Sequence, residues 1–149
     1  MTPQQAIVRL VAGASLSEEE MAALTTELLE GRVTPAQIGG LAVALRMKGE
    51  TTDELAGAAR AMRAHMTPVD GVPAGAVDTC GTGGDGASTL NVSTAAGLVV
   101  AAAGVPVAKH GNRAASGTVG GADVLEAMGV RLALDPGAAS ACLREVGFV

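Results

Sequence analysis

Aromatic side chains are almost missing from these 149 residues: there is no tryptophan, no tyrosine and a single phenylalanine, Phe148. Base-stacking platforms are thereby excluded, and no run of Lys or Arg offers a phosphate-tracking stripe. With a net charge of −5, nucleic acid is not the expected partner. Cysteine is scarce too. Cys80 and Cys142 stand alone, without metal-ligand spacing or a disulfide framework, so a reducing cytoplasm is the expected location. No apolar run reaches spanning length. The closest, Val92–Val107, is interrupted by Ser93, Thr94, two glycines and a proline, so no membrane partner is expected. Met1–Leu10 lacks the basic start and apolar run of a signal peptide.

What is present is small and apolar. Hydrophobic residues make up 48% of the chain, so the core must be built from Ala, Val, Leu and Met, which permit close approach but bury little area each. Residues 1–66 read as a helical domain. Ser17 with Glu20, Thr34-Pro35 with Gln37, and Thr51 with Glu54 have capping-box spacing, in which each partner satisfies an N–H of the other. Gly31 and Gly49 stand where helices would end. Ile38, Leu41, Ala42 and Leu45 form an apolar stripe, as do Met21, Leu24 and Leu28 one helix earlier. Lys48 reads as a favourable charge at a helix C-terminus, and His65 as structural. Residues 67–75, with two prolines and two glycines, read as a linker.

From residue 76 the pattern alternates. Strands are expected at Ala76–Cys80, Val105–Lys109, Val130–Leu134 and from Val146, with helices at Ser93–Ala103, around Ala122–Met128, and from Asp135-Pro136 to Glu145. Alternation predicts an α/β class with a parallel sheet and ligands beyond the C-terminal strand ends. The fold class is therefore a small all-helical domain followed by the start of a parallel-sheet α/β domain over 76–149. That domain reads as incomplete, because the last strand stops at Gly-Phe-Val.

Two polar segments fall at those strand ends. Residues 78–86 read Asp-Thr-Cys-Gly-Thr-Gly-Gly-Asp-Gly, and residues 109–113 read Lys-His-Gly-Asn-Arg. Glycine-dense backbone can turn several N–H groups toward an anion, and a lysine nearby can neutralise it. Gly81, Gly83 and Gly86 match a dinucleotide fingerprint, but Ala87–Val92 delays the helix and basic Lys109-His110 stands where an acidic ribose ligand belongs. A Walker loop fails because no Gly-Lys-Ser/Thr follows. A diphosphate cradle remains, with Asn91-Val92-Ser93-Thr94 at the next helix start serving as caps or anion ligands. Arg113 suits either a phosphate or a carboxylate such as Asp123. His110 suits a turn or a substrate contact. Cys80 reads as a buried small residue, and Asp78 as a support beneath the loops.

These segments, with Ser116 and Ala122-Asp-Val-Leu-Glu-Ala-Met-Gly129, resemble anthranilate phosphoribosyltransferase, the tryptophan-biosynthesis enzyme that joins anthranilate to phosphoribosyl pyrophosphate. The resemblance covers essentially the whole chain, which reads as the N-terminal portion of such an enzyme. It implies that Gly81, Gly84, Asp85, Thr89, Asn91, Val92, Ser93 and Thr94 bind the donor, with Ser93 a Mg²⁺ ligand. It implies the same donor role for Lys109, His110, Gly111, Asn112, Arg113, Ala114, Ala115, Ser116, Gly117 and Gly121. Gly81, His110 and Asn112 would face anthranilate, and a homodimer through the helical domain is expected. Gly121 departs from the serine common there. The family's second anthranilate-binding arginine and its acidic pair for a second magnesium would lie beyond Val149, so this chain alone is expected to be inactive. A non-catalytic phosphate-binding and dimerisation module is the alternative.

Overall fold

The computed structural model describes residues 1–81, 91–111, 113 and 119–149. They divide into two compact units, Met1–Met66 and Thr67–Val149. No described helix is long and apolar enough to cross a membrane.

The first unit holds α1 (Pro3–Val11), α2 (Glu18–Leu29), α3 (Pro35–Lys48) and α4 (Thr52–His65). All three expected capping boxes form, and a fourth joins Thr2 to Gln5 ahead of α1. Gly31 and Gly49 end their helices at φ of 73° and 85°, a left-handed region that favours glycine. α2 packs on α4 and α1 on α3. The core is Ala6, Leu10, Leu16, Leu24, Val33, Leu41 and Ala44, flanked by Ile7, Met21, Leu28 and Leu45. Ile38, expected in the stripe, is 38% exposed. Gly57 permits the α2–α4 approach, since a Cβ there would stand 2.3 Å from the Glu18 carbonyl oxygen. The Nδ1 of His65 lies 2.8 Å from the Ala61 carbonyl oxygen, one turn back on α4.

Lys48 departs from expectation. Instead of merely facing a helix end, its ammonium is buried and donates to Glu54 Oε2 at 2.9 Å, the Gly49 carbonyl at 2.7 Å and Ser15 Oγ at 3.3 Å. Glu54, the capping partner of Thr51, also accepts the backbone N–H of Thr51 at 2.8 Å and of Leu16 at 3.0 Å. Burial opposes ionisation of this carboxyl. The N–H donors of Leu16 and Thr51, then Lys48, outweigh it and bring its pKa down to about 2.

The second unit holds α5 (Val92–Ala102), α6 (Gly121–Ala127) and α7 (Pro136–Val146). Residues 67–75 group with it rather than standing free: Ser140 Oγ of α7 donates to the Asp70 carbonyl at 2.6 Å. Three of the four expected strands meet in parallel, each pairing being a single bridge, Val77 to Val107 and Val107 to Phe148. Val107 is central and fully buried. Its neighbours complete the pairing: Val77 N–H donates to Pro106, Ala108 N–H to Val77, and Lys109 N–H to Val149. Gly97 lets α5 lie on this layer, for a Cβ there would be 3.0 Å from Thr79 Oγ1 and 3.2 Å from the Phe148 ring.

The strand expected at Val130–Leu134 is not formed. Its first and last donors are spent locally: Val130 N–H closes the end of α6 on Leu125, and Leu134 N–H bonds the Leu132 carbonyl. Gly129, at φ of 85°, turns the chain just before it.

Candidate functional site

The parallel pairing brings the ends of Ala76–Cys80 and Val105–Lys109 side by side, and one carboxylate ties them. Asp78 Oδ1 accepts the backbone N–H of Cys80 at 2.8 Å and that of His110 at 3.3 Å. The start of the glycine-rich run and the Lys109-His110 step are therefore held together by the support expected beneath them. Lys109 Nζ donates to the His110 carbonyl at 3.3 Å. Cys80, expected to be buried, is exposed instead: it sits at the very end of its extended segment, where its Sγ lies 3.5 Å from His110 Nδ1 and 3.3 Å from the Gly81 carbonyl oxygen.

α5 begins at the same place. Its N-cap Asn91 makes no side-chain cap hydrogen bond, and Thr79 Oγ1 anchors the first turn by donating to the Ser93 carbonyl at 2.7 Å. Thr94 is buried, and its Oγ1 has no hydrogen-bond partner among the described residues. An orphaned buried hydroxyl costs free energy unless something else pairs with it. Gly121 stands opposite, where a Cβ would come within 2.8 Å of that oxygen. The glycine that departs from the expected serine thus opens the space in front of Thr94.

Arg113 takes the carboxylate alternative. Its guanidinium bonds Glu126 through two nitrogens, at 2.6 and 2.8 Å, and Asp123 at 3.3 Å. Hydrogen bonding to Arg113 holds the Glu126 carboxyl below its usual range. Asp123 also caps α6 by accepting the Gly120 N–H at 2.7 Å. Lys109, His110, Gly111, Arg113 and Gly121 line one cleft of about 740 Å³. Leu132, Cys142 and Phe148 also line it, residues that sequence reasoning did not connect with the site. Gly81 and Val92 are exposed, Val92 as the first residue of α5. Gly84, Asp85, Thr89, Asn112, Ala114, Ala115, Ser116 and Gly117 lie outside the described residues.

Comparison with known proteins matches both units to one family. Residues 4–66 match the helical bundle domain of the glycosyl transferase family, and residues 73–149 its a/b domain. The anthranilate phosphoribosyltransferase of Pelotomaculum thermopropionicum is 56% identical over 145 residues, covering 97% of this chain and 42% of that protein. That of Teredinibacter turnerae is 55% identical, covering 99% of this chain and 43% of its own length. The crystal structure of anthranilate phosphoribosyltransferase from Thermus thermophilus superposes with a TM-score of 0.84 at 45% identity, over 96% of this chain and 44% of that one. The chain spans less than half the length of these relatives. A helical bundle followed by the opening part of an a/b domain is the architecture in common.

Proposed function

We propose a reaction for this chain, which belongs to the glycosyl transferase family through both of its matched domains: transfer of phosphoribosyl from phosphoribosyl pyrophosphate to anthranilate. In that reading the chain supplies the donor-binding part of the site, and the reaction is a step of tryptophan biosynthesis in the cytoplasm. The observation that carries it is the Asp78 tie, which holds the start of the glycine-rich run, at Cys80, beside His110. The relatives' names supply the substrates.

Pyrophosphate leaves the anomeric carbon through an oxocarbenium-like state, so charge grows on the leaving group. Lys109, the backbone N–H of Gly81, and the first turn of α5, to which Asn91 gives no side-chain cap, are cationic or dipolar groups suited to it. The orphaned Thr94 hydroxyl is a further donor for a diphosphate or phosphate oxygen. Ser93 offers a hard oxygen ligand of the kind Mg²⁺ takes, and when bound that ion would neutralise diphosphate charge. The aromatic amine of anthranilate is already neutral near pH 7, so positioning by Gly81, His110 and Asn112 matters more than a strong base.

The test is formation of phosphoribosyl-anthranilate by the chain, alone and with the remaining part of the Pelotomaculum enzyme supplied. Turnover in the reconstituted mixture, lost in Lys109→Ala, is expected. Donor-dependent stabilisation without turnover in any mixture would favour a binding module instead. Unchanged donor binding in Lys109→Ala would overturn the two-segment site.

Dimerisation through the helical unit belongs to the same reading. Val8 and Val11 of α1 and Val43 and Met47 of α3 are exposed, each pair at a spacing that shares one helix face. Sedimentation should show a dimer that Val43→Glu with Met47→Glu converts to monomer.

A further inference from the structure

We propose that Asp78, Cys80 and His110 form a binding site for one thiophilic divalent cation of the Zn²⁺ class. A carboxylate oxygen, Sγ and an imidazole nitrogen from these residues all lie within 4.8 Å of one another, and all three side chains are exposed. One pair has the spacing such an ion requires. Zn–S near 2.3 Å and Zn–N near 2.0–2.1 Å at a tetrahedral angle separate the two ligand atoms by about 3.6 Å. Cys80 Sγ and His110 Nδ1 are 3.5 Å apart.

Charge favours the same occupant. A Cys80 thiolate and the Asp78 carboxylate together balance a divalent cation, and three protein ligands leave a fourth position for water. The scaffold is set in advance, since Asp78 Oδ1 already accepts the backbone N–H groups of Cys80 and His110. Coordination through Nδ1 fixes the His110 proton on Nε2. A sulfur and an imidazole are the wrong ligands for Mg²⁺, so this site is chemically distinct from the oxygen ligand at Ser93. Sequence spacing did not reveal it, because the parallel pairing, not local sequence, brings residue 110 to residues 78 and 80. The ion would clamp two extended segments at their C-terminal ends, whatever reaction the chain serves.

Titration of the full chain with Co²⁺, then Zn²⁺, tests this without any substrate. One equivalent of Co²⁺ should give tetrahedral visible bands and a thiolate charge-transfer band, both removed by one equivalent of Zn²⁺. Cys80→Ser should abolish the charge-transfer band, His110→Gln should weaken Zn²⁺ binding at least about tenfold, and Cys142→Ser should leave both unchanged. In the unaltered chain, Zn²⁺ should slow thiol-reagent attack on Cys80 but not on Cys142, a readout independent of how the variants fold. Absence of stoichiometric Co²⁺ binding, a charge-transfer band surviving in Cys80→Ser, or equal protection of both thiols would overturn the site. The transferase reading has its own test, donor binding lost in Lys109→Ala, so the two can fail separately.

Discussion

Glu54 shows how much one side chain can hold. It caps α4, accepts an N–H from Leu16 and pairs with the buried Lys48 ammonium. With a folded pKa near 2 against an ordinary 4.5, its contribution is fully present above pH 4.5 and is lost as pH falls through about 2. The difference corresponds to about 3 kcal/mol. Glu54→Gln should lower the melting temperature at neutral pH, because Lys48 is left buried without a counter-charge. It should also flatten the stability profile between pH 4.5 and 2, as read by helical ellipticity. Gly121 makes an opposite demand, for space. Gly121→Ala should cost about 1–2 kcal/mol by crowding Thr94 Oγ1. Combining it with Thr94→Ala should cost less than the sum of the two single changes, a coupling that denaturant melts would measure.

Between elements, the closest approach is at Gly57. A methyl there meets the Glu18 backbone carbonyl, which cannot swing aside, so Gly57→Ala should destabilise the helical unit by at least about 1–3 kcal/mol in urea unfolding. The helices were readable because their determinants are local. Ser17 with Glu20, Thr34 with Gln37, and Thr51 with Glu54 stand three residues apart, and a capping box needs nothing else. The buried Lys48–Glu54 pair was not readable. It spans a helix junction, and its burial depends on Leu16, 38 residues earlier. Val130–Leu134 misled for a related reason: it has the composition of a strand, but the Leu125 carbonyl at the end of α6 takes its first N–H. The same limit divided the site. Lys109, His110 and the glycine-rich run were legible as chemistry, whereas the exposure of Cys80 and the Arg113–Glu126 pairing depend on tertiary placement.

Across the molecule, the two units carry different reporters. Both cysteines lie in Thr67–Val149, while the Glu54 network lies wholly within Met1–Met66. At neutral pH, Glu54→Gln should therefore shift the loss of helical ellipticity to lower temperature while leaving the protection of Cys142 against thiol reagents in place. Cys142 is half-buried and donates to the Phe148 carbonyl at 3.3 Å, so its reactivity follows the second unit's own pairing.

Val107 also sets a timetable. Its partners lie thirty residues before it and forty-one after it, and each bridge forms only once its own loop has closed. The helical unit, by contrast, starts from caps three residues apart. Refolding should register helix formation in Met1–Met66 first and burial of Cys142 later, because distant parallel pairing is slow to find. During that interval the segments around Val77, Val107 and Phe148 present unpaired edges, and the newly made chain is most open to self-association there.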